Sequence, residues 1–181
     1  MEVPEERTVF AAEQVRQMLA DLAQALHLRH PDPGELALVG IRTGGAFLAS
    51  RLRQQLAALA GQAPDTGVMD ITLYRDDWTR LHSRPKVGRT EIDFAIDGRV
   101  VVLVDDVIYT GRTTRAALDA LIDFGRPRRI ELLVLIDRGQ RELPIQPDYV
   151  GAKLTPHSGR VIDVRLREQG AAEDAVVDRP V

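Results

Sequence analysis

Two adjacent carboxylates, Asp105 and Asp106, follow the apolar run Val101-Val102-Leu103-Val104, and Thr110-Gly111-Arg112-Thr113-Thr114 comes just after them, opening a helical pattern. A loop of that kind at a helix N-terminus is an anion site, because backbone N–H groups and hydroxyls converge there and the helix dipole favours negative charge. Gly111 lets the backbone approach a phosphate closely. The acids cannot bind phosphate directly, but they accept hydrogen bonds from sugar hydroxyls and can hold a Mg²⁺ complex in place. A phosphate pocket beside a diol pocket describes a site for a ribose 5-phosphate. A capped helix after a buried strand would use some of the same residue types; the four apolar residues before the acids and the two threonines after Gly111 favour the anion site. Neither the Gly-Lys-Ser/Thr of a Walker loop nor a G-x-G-x-x-G turn is present.

The elements that must carry this loop follow from periodicity. A helix is expected over Ala11–Leu28, where Val15, Met18, Leu19, Leu22 and Leu26 recur at three- and four-residue steps. His30-Pro31-Asp32-Pro33-Gly34 ends it, and Leu36 to Ile41 reads as a strand buried on both faces. The glycine turn Arg42-Thr43-Gly44-Gly45 leads into a second helix with Leu48, Leu52, Leu56 and Leu59 on one side. Val68 to Tyr74 reads as a strand, and the polar segment Arg75 to Asp97 as a functional loop. Arg99 to Val104 is the strongest strand, with the chain turning out of it at Asp105. A helix placing Ala117, Leu118, Leu121 and Ile122 inward stops at Gly125, and Ile130 to Ile136 is the next strand. The remainder, with short apolar runs at Tyr149-Val150 and Val161-Ile162, reads as an appended irregular lobe whose end, Glu168 to Val181, frays. Alternating strands and helices predict an α/β fold around a central, mostly parallel sheet, in one domain over residues 1–181.

Composition narrows the setting. The chain has 181 residues, 44% hydrophobic and 28% charged, the values of an ordinary globular domain. It contains no cysteine, which excludes disulfides, thiolate metal sites and a cysteine nucleophile. The acidic N-terminus does not resemble a secretory signal, and no apolar run approaches the ~20 residues of a membrane span. A cytoplasmic protein without membrane attachment is expected. With a formal charge of −3, any nucleic-acid surface must come from local clustering, for which the arginines over 126–141 are the candidates.

Val101 to Thr114 resembles the phosphoribosyl pyrophosphate signature of type I phosphoribosyltransferases. More narrowly, the segments Asp70 to Asp77, Asp105 to Thr113 and Asp137 to Ile145 resemble the PyrR family, bifunctional pyrimidine-operon attenuators and uracil phosphoribosyltransferases, and the likeness runs over about residues 9–168. The resemblance implies a type I phosphoribosyltransferase fold with a mobile loop and a small C-terminal hood over roughly residues 137–167. It implies conversion of uracil and phosphoribosyl pyrophosphate to UMP and pyrophosphate with Mg²⁺, and UMP-promoted binding of a pyrimidine-operon leader mRNA. It also implies a homodimer or homotetramer.

By the same resemblance, Asp105 and Asp106 bind the ribose hydroxyls and, indirectly, the metal, while Thr110, Gly111, Arg112, Thr113 and Thr114 bind the 5-phosphate. Arg42, Thr43 and Gly44 form the pyrophosphate loop, and Arg75, Lys86 and Arg89 on the mobile loop meet pyrophosphate oxygens. Tyr109 stands where purine-using relatives carry an acid, which argues against hypoxanthine or guanine. Asp137, Arg138 and Val161-Ile162 are the candidates for uracil. Arg126, Arg128, Arg129, Arg138 and Arg141 would form an RNA face, although Ala20, Gln24, Gln140 and Gln146 stand where the family often has polar or basic RNA contacts. A purine transferase of this fold, or a nucleotide-sensing RNA-binding regulator without turnover, are the alternatives.

Overall fold

The two most apolar segments of the chain lie side by side at the centre of a parallel sheet. In the computed structural model, which describes residues 6–76 and 88–181, they are β2 (Leu36–Ile41) and β4 (Val100–Ile108). With β3 (Asp65–Met69), β5 (Arg129–Asp137) and β6 (Tyr149–Lys153) they form a five-stranded sheet in the order β3-β2-β4-β5-β6, each neighbouring pair parallel. Side chains alternate between two cores. Leu36, Leu38, Val100, Val102 and Val104 pack with Leu19 and Leu26 of α1 (Ala12–Arg29) and Leu48 and Leu52 of α2 (Gly44–Ala60). Ala37, Val39, Ile41, Val101 and Leu103 pack with Ala117 and Leu121 of α3 (Arg112–Ile122). Burial on both faces is why these strands read as unbroken apolar runs.

The strand order reverses between β2 and β4. In an open α/β sheet the crevice beyond the carboxyl ends at such a reversal is where ligands bind. Here it brings the loop 42–45, after β2, against the tip of β4. β2 pairs with β4 only as far as Gly40 opposite Val104, whereas β4 continues beside β5 until Ile108 stands opposite Asp137. Asp105 and Asp106 therefore lie within the strand, not in a turn after it, where one edge of β4 has lost its partner. Gly44 and Gly45 make the approach possible: a Cβ on Gly45 would collide with the Val104 carbonyl, and one on Gly44 with the Asp106 carboxylate.

Several sequence expectations are corrected by pairings between distant segments. The third strand ends at Met69, not Tyr74, because Asp70 Oδ1 accepts the Thr72 N–H at 2.8 Å and bends residues 72–74 into a short 3₁₀ turn. Leu59 is 42% and Ile122 66% exposed; the core face of α3 is instead made by Ala116, Ala117, Ala120 and Leu121. Tyr149 to Lys153 joins the main sheet. β7 (Arg160–Arg165), β8 (Ala175–Pro180) and β1 (Arg7–Phe10) form an antiparallel sheet in the order β1-β8-β7. The acidic end expected to fray is thus a central strand, and the small lobe draws on both chain ends as well as on residues 160–165. Arg51 of α2 fastens this end, donating to Glu168 at 2.8 Å and to Asp174 at 2.6 Å.

Candidate active site

Asp105 is 6% exposed and Asp106 half-buried at the open edge of β4. Asp105 Oδ1 accepts the Asp106 N–H at 2.9 Å, and Asp106 Oδ1 accepts the Val107 N–H at 2.7 Å. Burial pushes the Asp105 carboxyl well above its usual range; the adjacent Asp106 charge adds to this and the Arg75 guanidinium opposes it. Burial also raises Asp106, with the charge of Asp163 on β7 contributing. Two crowded, poorly solvated carboxylates at a cleft seek hydroxyl donors or positive charge.

The loop beyond β4 is held from below. The Thr110 carbonyl accepts the N–H groups of Glu142 at 2.9 Å and Leu143 at 3.2 Å. Thr110 Oγ1 accepts the Arg112 N–H at 3.3 Å, and Gly111 takes the left-handed conformation, φ 92°, where α3 begins. These residues wall a first cavity of about 290 Å³ lined by Arg75, Asp105, Tyr109 and Thr110 through Thr114. A second cavity, of about 280 Å³, is lined by Arg42, Thr43, Asp70, Thr72, Arg75, Gly88 and Thr113. The Arg42–Thr43 peptide bond is cis. A third, of about 410 Å³, opens toward the small sheet between Tyr109, Arg138, Gln140, His157, Arg160 and Val161. The first and second share Arg75 and Thr113, and the first and third share Tyr109, so the three form a chain with the phosphate-type loop in the middle.

Asp70 closes the second cavity. Its carboxylate accepts the N–H groups of Thr72 at 2.8 Å and Gly88 at 2.5 Å, drawing residue 88 back over Arg42. Burial alone would raise this carboxyl, but the hydrogen bonds from Thr72 and Gly88 and the Arg42 charge hold it below its ordinary value. Arg42 Nε donates to the Arg89 carbonyl at 3.1 Å, and its guanidinium lies 3.7 Å from Glu91.

Most of the residues singled out from the sequence thus line one crevice: Arg42, Thr43, Arg75, Asp105, Tyr109 and Thr110 through Thr114, with Arg138 and Val161 on the third cavity, while Asp106 stands beside Asp105 and lines none of the three. Others stand differently. Gly44 is buried against Asp106 and lines none of the three cavities. Asp137 is buried, accepting the Gly139 N–H and Arg141 Nη2, each at 2.8 Å, and so shapes a turn instead of facing the cavity. Lys86 lies outside the described residues. Arg112 lines the first cavity, and its guanidinium pairs with Asp76 at 2.6 Å and Glu142 at 2.7 Å.

The expected face of five arginines is divided. Arg126, Arg128 and Arg129 stand at or before the start of β5 and Arg138 just past its end, so the nine-residue strand separates them by about 30 Å. Arg141 is a brace: its side chain is 11% exposed and donates to Asp137 and to the carbonyls of Tyr109, Gly139 and Ile145. The Arg138 guanidinium lies over the Tyr109 ring, 4.0 Å from its centre. Sequence reading missed Asp163, Arg160 and His157 as neighbours of the crevice, since only the folding of the small sheet brings them there. Asp70 and Asp76, by contrast, sat within a motif already singled out. Among the described residues no cluster of three or more His, Asp or Glu is arranged to hold a metal by protein ligands alone, and no helix is long and apolar enough to cross a membrane.

Comparison with known proteins gives a consistent picture. The family model described as a phosphoribosyl transferase domain matches residues 8–169. The chain is 49% identical over 173 residues to the bifunctional protein PyrR of Syntrophobacter fumaroxidans, covering 96% of this chain and 93% of that one. It is 50% identical over 157 residues to the bifunctional protein PyrR of Thermus thermophilus, covering 87% of each. Among solved structures, the hypoxanthine phosphoribosyltransferase of Trypanosoma cruzi in complex with IMP superposes with a TM-score of 0.72, covering 99% of this chain and 94% of that one at 18% identity. At that identity the likeness concerns the fold alone.

Proposed function

Because the chain belongs to the phosphoribosyl transferase family, and within it to the PyrR proteins, we propose that its crevice joins uracil to the ribosyl carbon of phosphoribosyl pyrophosphate, releasing pyrophosphate and UMP, and that the protein regulates pyrimidine-operon expression by binding leader mRNA. The observation that carries the enzymatic reading is the chain of three cavities with the buried Asp105 carboxylate, and Asp106 next to it, at its middle. Bond breaking at the ribosyl carbon leaves positive charge on the sugar and negative charge on the departing pyrophosphate. Little side-chain covalent chemistry is required, so orientation and electrostatic stabilisation supply the rate.

Each part of the crevice suits one part of that task. The N–H groups and hydroxyls of Thr110 through Thr114 hold the 5-phosphate, and Asp105 and Asp106 accept hydrogen bonds from the ribose hydroxyls. Arg42, Thr43 and Arg75 face the pyrophosphate from the second cavity. The base enters the third, where Tyr109, Arg138 and Val161 line the wall. The paired carboxylates also fit a Mg²⁺ complex, since Mg²⁺ keeps most of its shell as water and substrate oxygens and needs only one or two protein carboxylates nearby. When bound, the ion would neutralise phosphate charge, with Asp105 and Asp106 holding it through the sugar or through water. A cytoplasmic setting and assembly into dimers or tetramers accompany this reading.

Incubating the protein with uracil, phosphoribosyl pyrophosphate and Mg²⁺ is expected to yield UMP, and uracil is expected to win in direct competition with hypoxanthine. A preference for hypoxanthine would overturn the pyrimidine reading. For the regulatory role, the exposed Arg126 would meet RNA phosphates, with Arg129 beside it also exposed but already paired with Glu131. Filter binding of a leader hairpin is expected to tighten when UMP is added; equal retention with and without UMP would remove the regulatory half and leave the enzyme.

A further inference from the structure

The guanidinium of Arg112 is committed to two carboxylates from different segments. Nη1 donates to Asp76 Oδ2 at 2.6 Å, just before the active-site loop leaves the described residues, and Nε donates to Glu142 Oε2 at 2.7 Å, in the turn beyond β5. Arg115, one turn along α3, adds a second cation 3.9 Å from Asp76. Two residues before Asp76, the Tyr74 hydroxyl donates to Asp123 just past the other end of α3. Residues 74–76 are thus riveted at both ends to one helix. Between the rivets sits Arg75, which walls both the first and second cavities and whose charge reaches Asp105.

We infer that Arg112 is a positioning residue: through its ion pair with Asp76 it holds Arg75 at the junction of the phosphate and pyrophosphate cavities, and its side chain does not itself contact the phosphate. The inference rests on the reading of the crevice as a phosphoribosyl pyrophosphate site. The physical case is geometric. A guanidinium that already donates to two carboxylates has its strongest bonds made, whereas the backbone N–H groups of the same loop are enough to hold an anion. Arg75 is long and flexible, and fixing both its neighbours restricts where its charge can stand. Exposed ion pairs contribute little to global stability, so this pair should show itself in turnover before it shows itself in melting.

The test is a double-mutant cycle on Arg112→Ala and Asp76→Ala, reading kcat, KM for phosphoribosyl pyrophosphate, UMP affinity and melting temperature. Each single variant is expected to lose about tenfold in kcat/KM for phosphoribosyl pyrophosphate. The double variant should lose no more than either single one. UMP carries the 5-phosphate but no pyrophosphate, so its affinity should stay within about twofold. Asp76→Glu should restore much of the loss, and melting should barely move. Losses that multiply in the double variant, or a tenfold fall in UMP affinity confined to Arg112→Ala, would overturn the inference by placing Arg112 on the phosphate. Variants indistinguishable from an active wild type would sink it also. A wild-type protein that makes no UMP would instead refute the functional reading beneath it.

Discussion

Asp106→Asn is expected to remove at least about 100-fold of UMP formation while raising the melting temperature of the ligand-free protein. The two effects have one cause. Asparagine keeps the shape of the side chain and the oxygen that accepts the Val107 N–H, but it loses the charge that, on the proposed reading, would face the sugar and its metal complex, where electrostatic stabilisation matters most. In the empty protein that same charge is a liability. Burial raises both Asp105 and Asp106, and the Asp106 charge raises Asp105 further. A carboxyl whose folded value lies above its unfolded value opposes folding when charged. That cost is present at neutral pH, and it is relieved as pH falls through the raised folded values toward the ordinary carboxylate range. The variant should therefore melt above the wild type at about pH 7, by roughly 2–4 °C for each kcal/mol relieved, and the gap should close as pH falls toward about 4. Differential scanning calorimetry across that range, beside an assay of UMP formation, reads both halves. Activity surviving within a few-fold would remove Asp106 from the site.

At the opposite end of the sheet a buried carboxylate has the reverse sign. Glu131 has a side chain with 0% exposure; its Oε2 accepts the Tyr149 hydroxyl at 2.7 Å and meets His30 Nε2 at 2.9 Å, while Oε1 makes no hydrogen bond but lies in ion-pair range of Arg129 Nε at 2.9 Å and an Arg29 guanidinium nitrogen at 3.1 Å. Burial would raise its titration. The hydrogen bonds from Tyr149 and His30 and the charges of His30 and Arg29 outweigh that and hold it below the ordinary value. Burial and the same carboxylate push the Tyr149 phenol well up. A depressed carboxyl stabilises the fold above its unfolded value, and that contribution is lost as pH falls through the folded one. Glu131→Ala should cost about 3–5 kcal/mol, because it strands arginine, histidine and phenol groups around an empty position. That corresponds to roughly 10 °C of melting temperature. Glu131→Gln should cost less and flatten acid unfolding, with turnover at low temperature unchanged, since the crevice lies at the far ends of the strands. A melting temperature within a degree or so of wild type for Glu131→Ala would refute the account.

These two carboxylate sites differ in how far they could be seen in the chain. Asp105 and Asp106 were legible because everything that marks them is local: an apolar strand before, an anion-binding helix start after, and a glycine between. Glu131 gave no such signal. It sits within a strand pattern, and apart from Arg129 two residues before it, its partners are Arg29 at the end of α1, His30 just past it and Tyr149 on β6, so the chain around it does not announce a buried charge. The arginines behave likewise. Arg112, Arg138 and Arg141 are alike in sequence terms, all basic residues beside a motif. Yet one is paired with two carboxylates, one lies over an aromatic ring and one is almost wholly consumed by backbone carbonyls.

Short-range patterning by itself determined the α/β class, the two central strands, the helices that cover them and the loop from Asp105 to Thr114, because period, apolar runs and turn chemistry act over a few residues. Only the tertiary structure decided that β4 outlasts β2 and so opens an edge at the acids, that the chain ends meet in one small sheet, and which charges are spent on one another. Those outcomes depend on which distant segments are brought together, and a carboxylate or guanidinium near the crevice remains available to a ligand only when no such segment supplies its counter-charge.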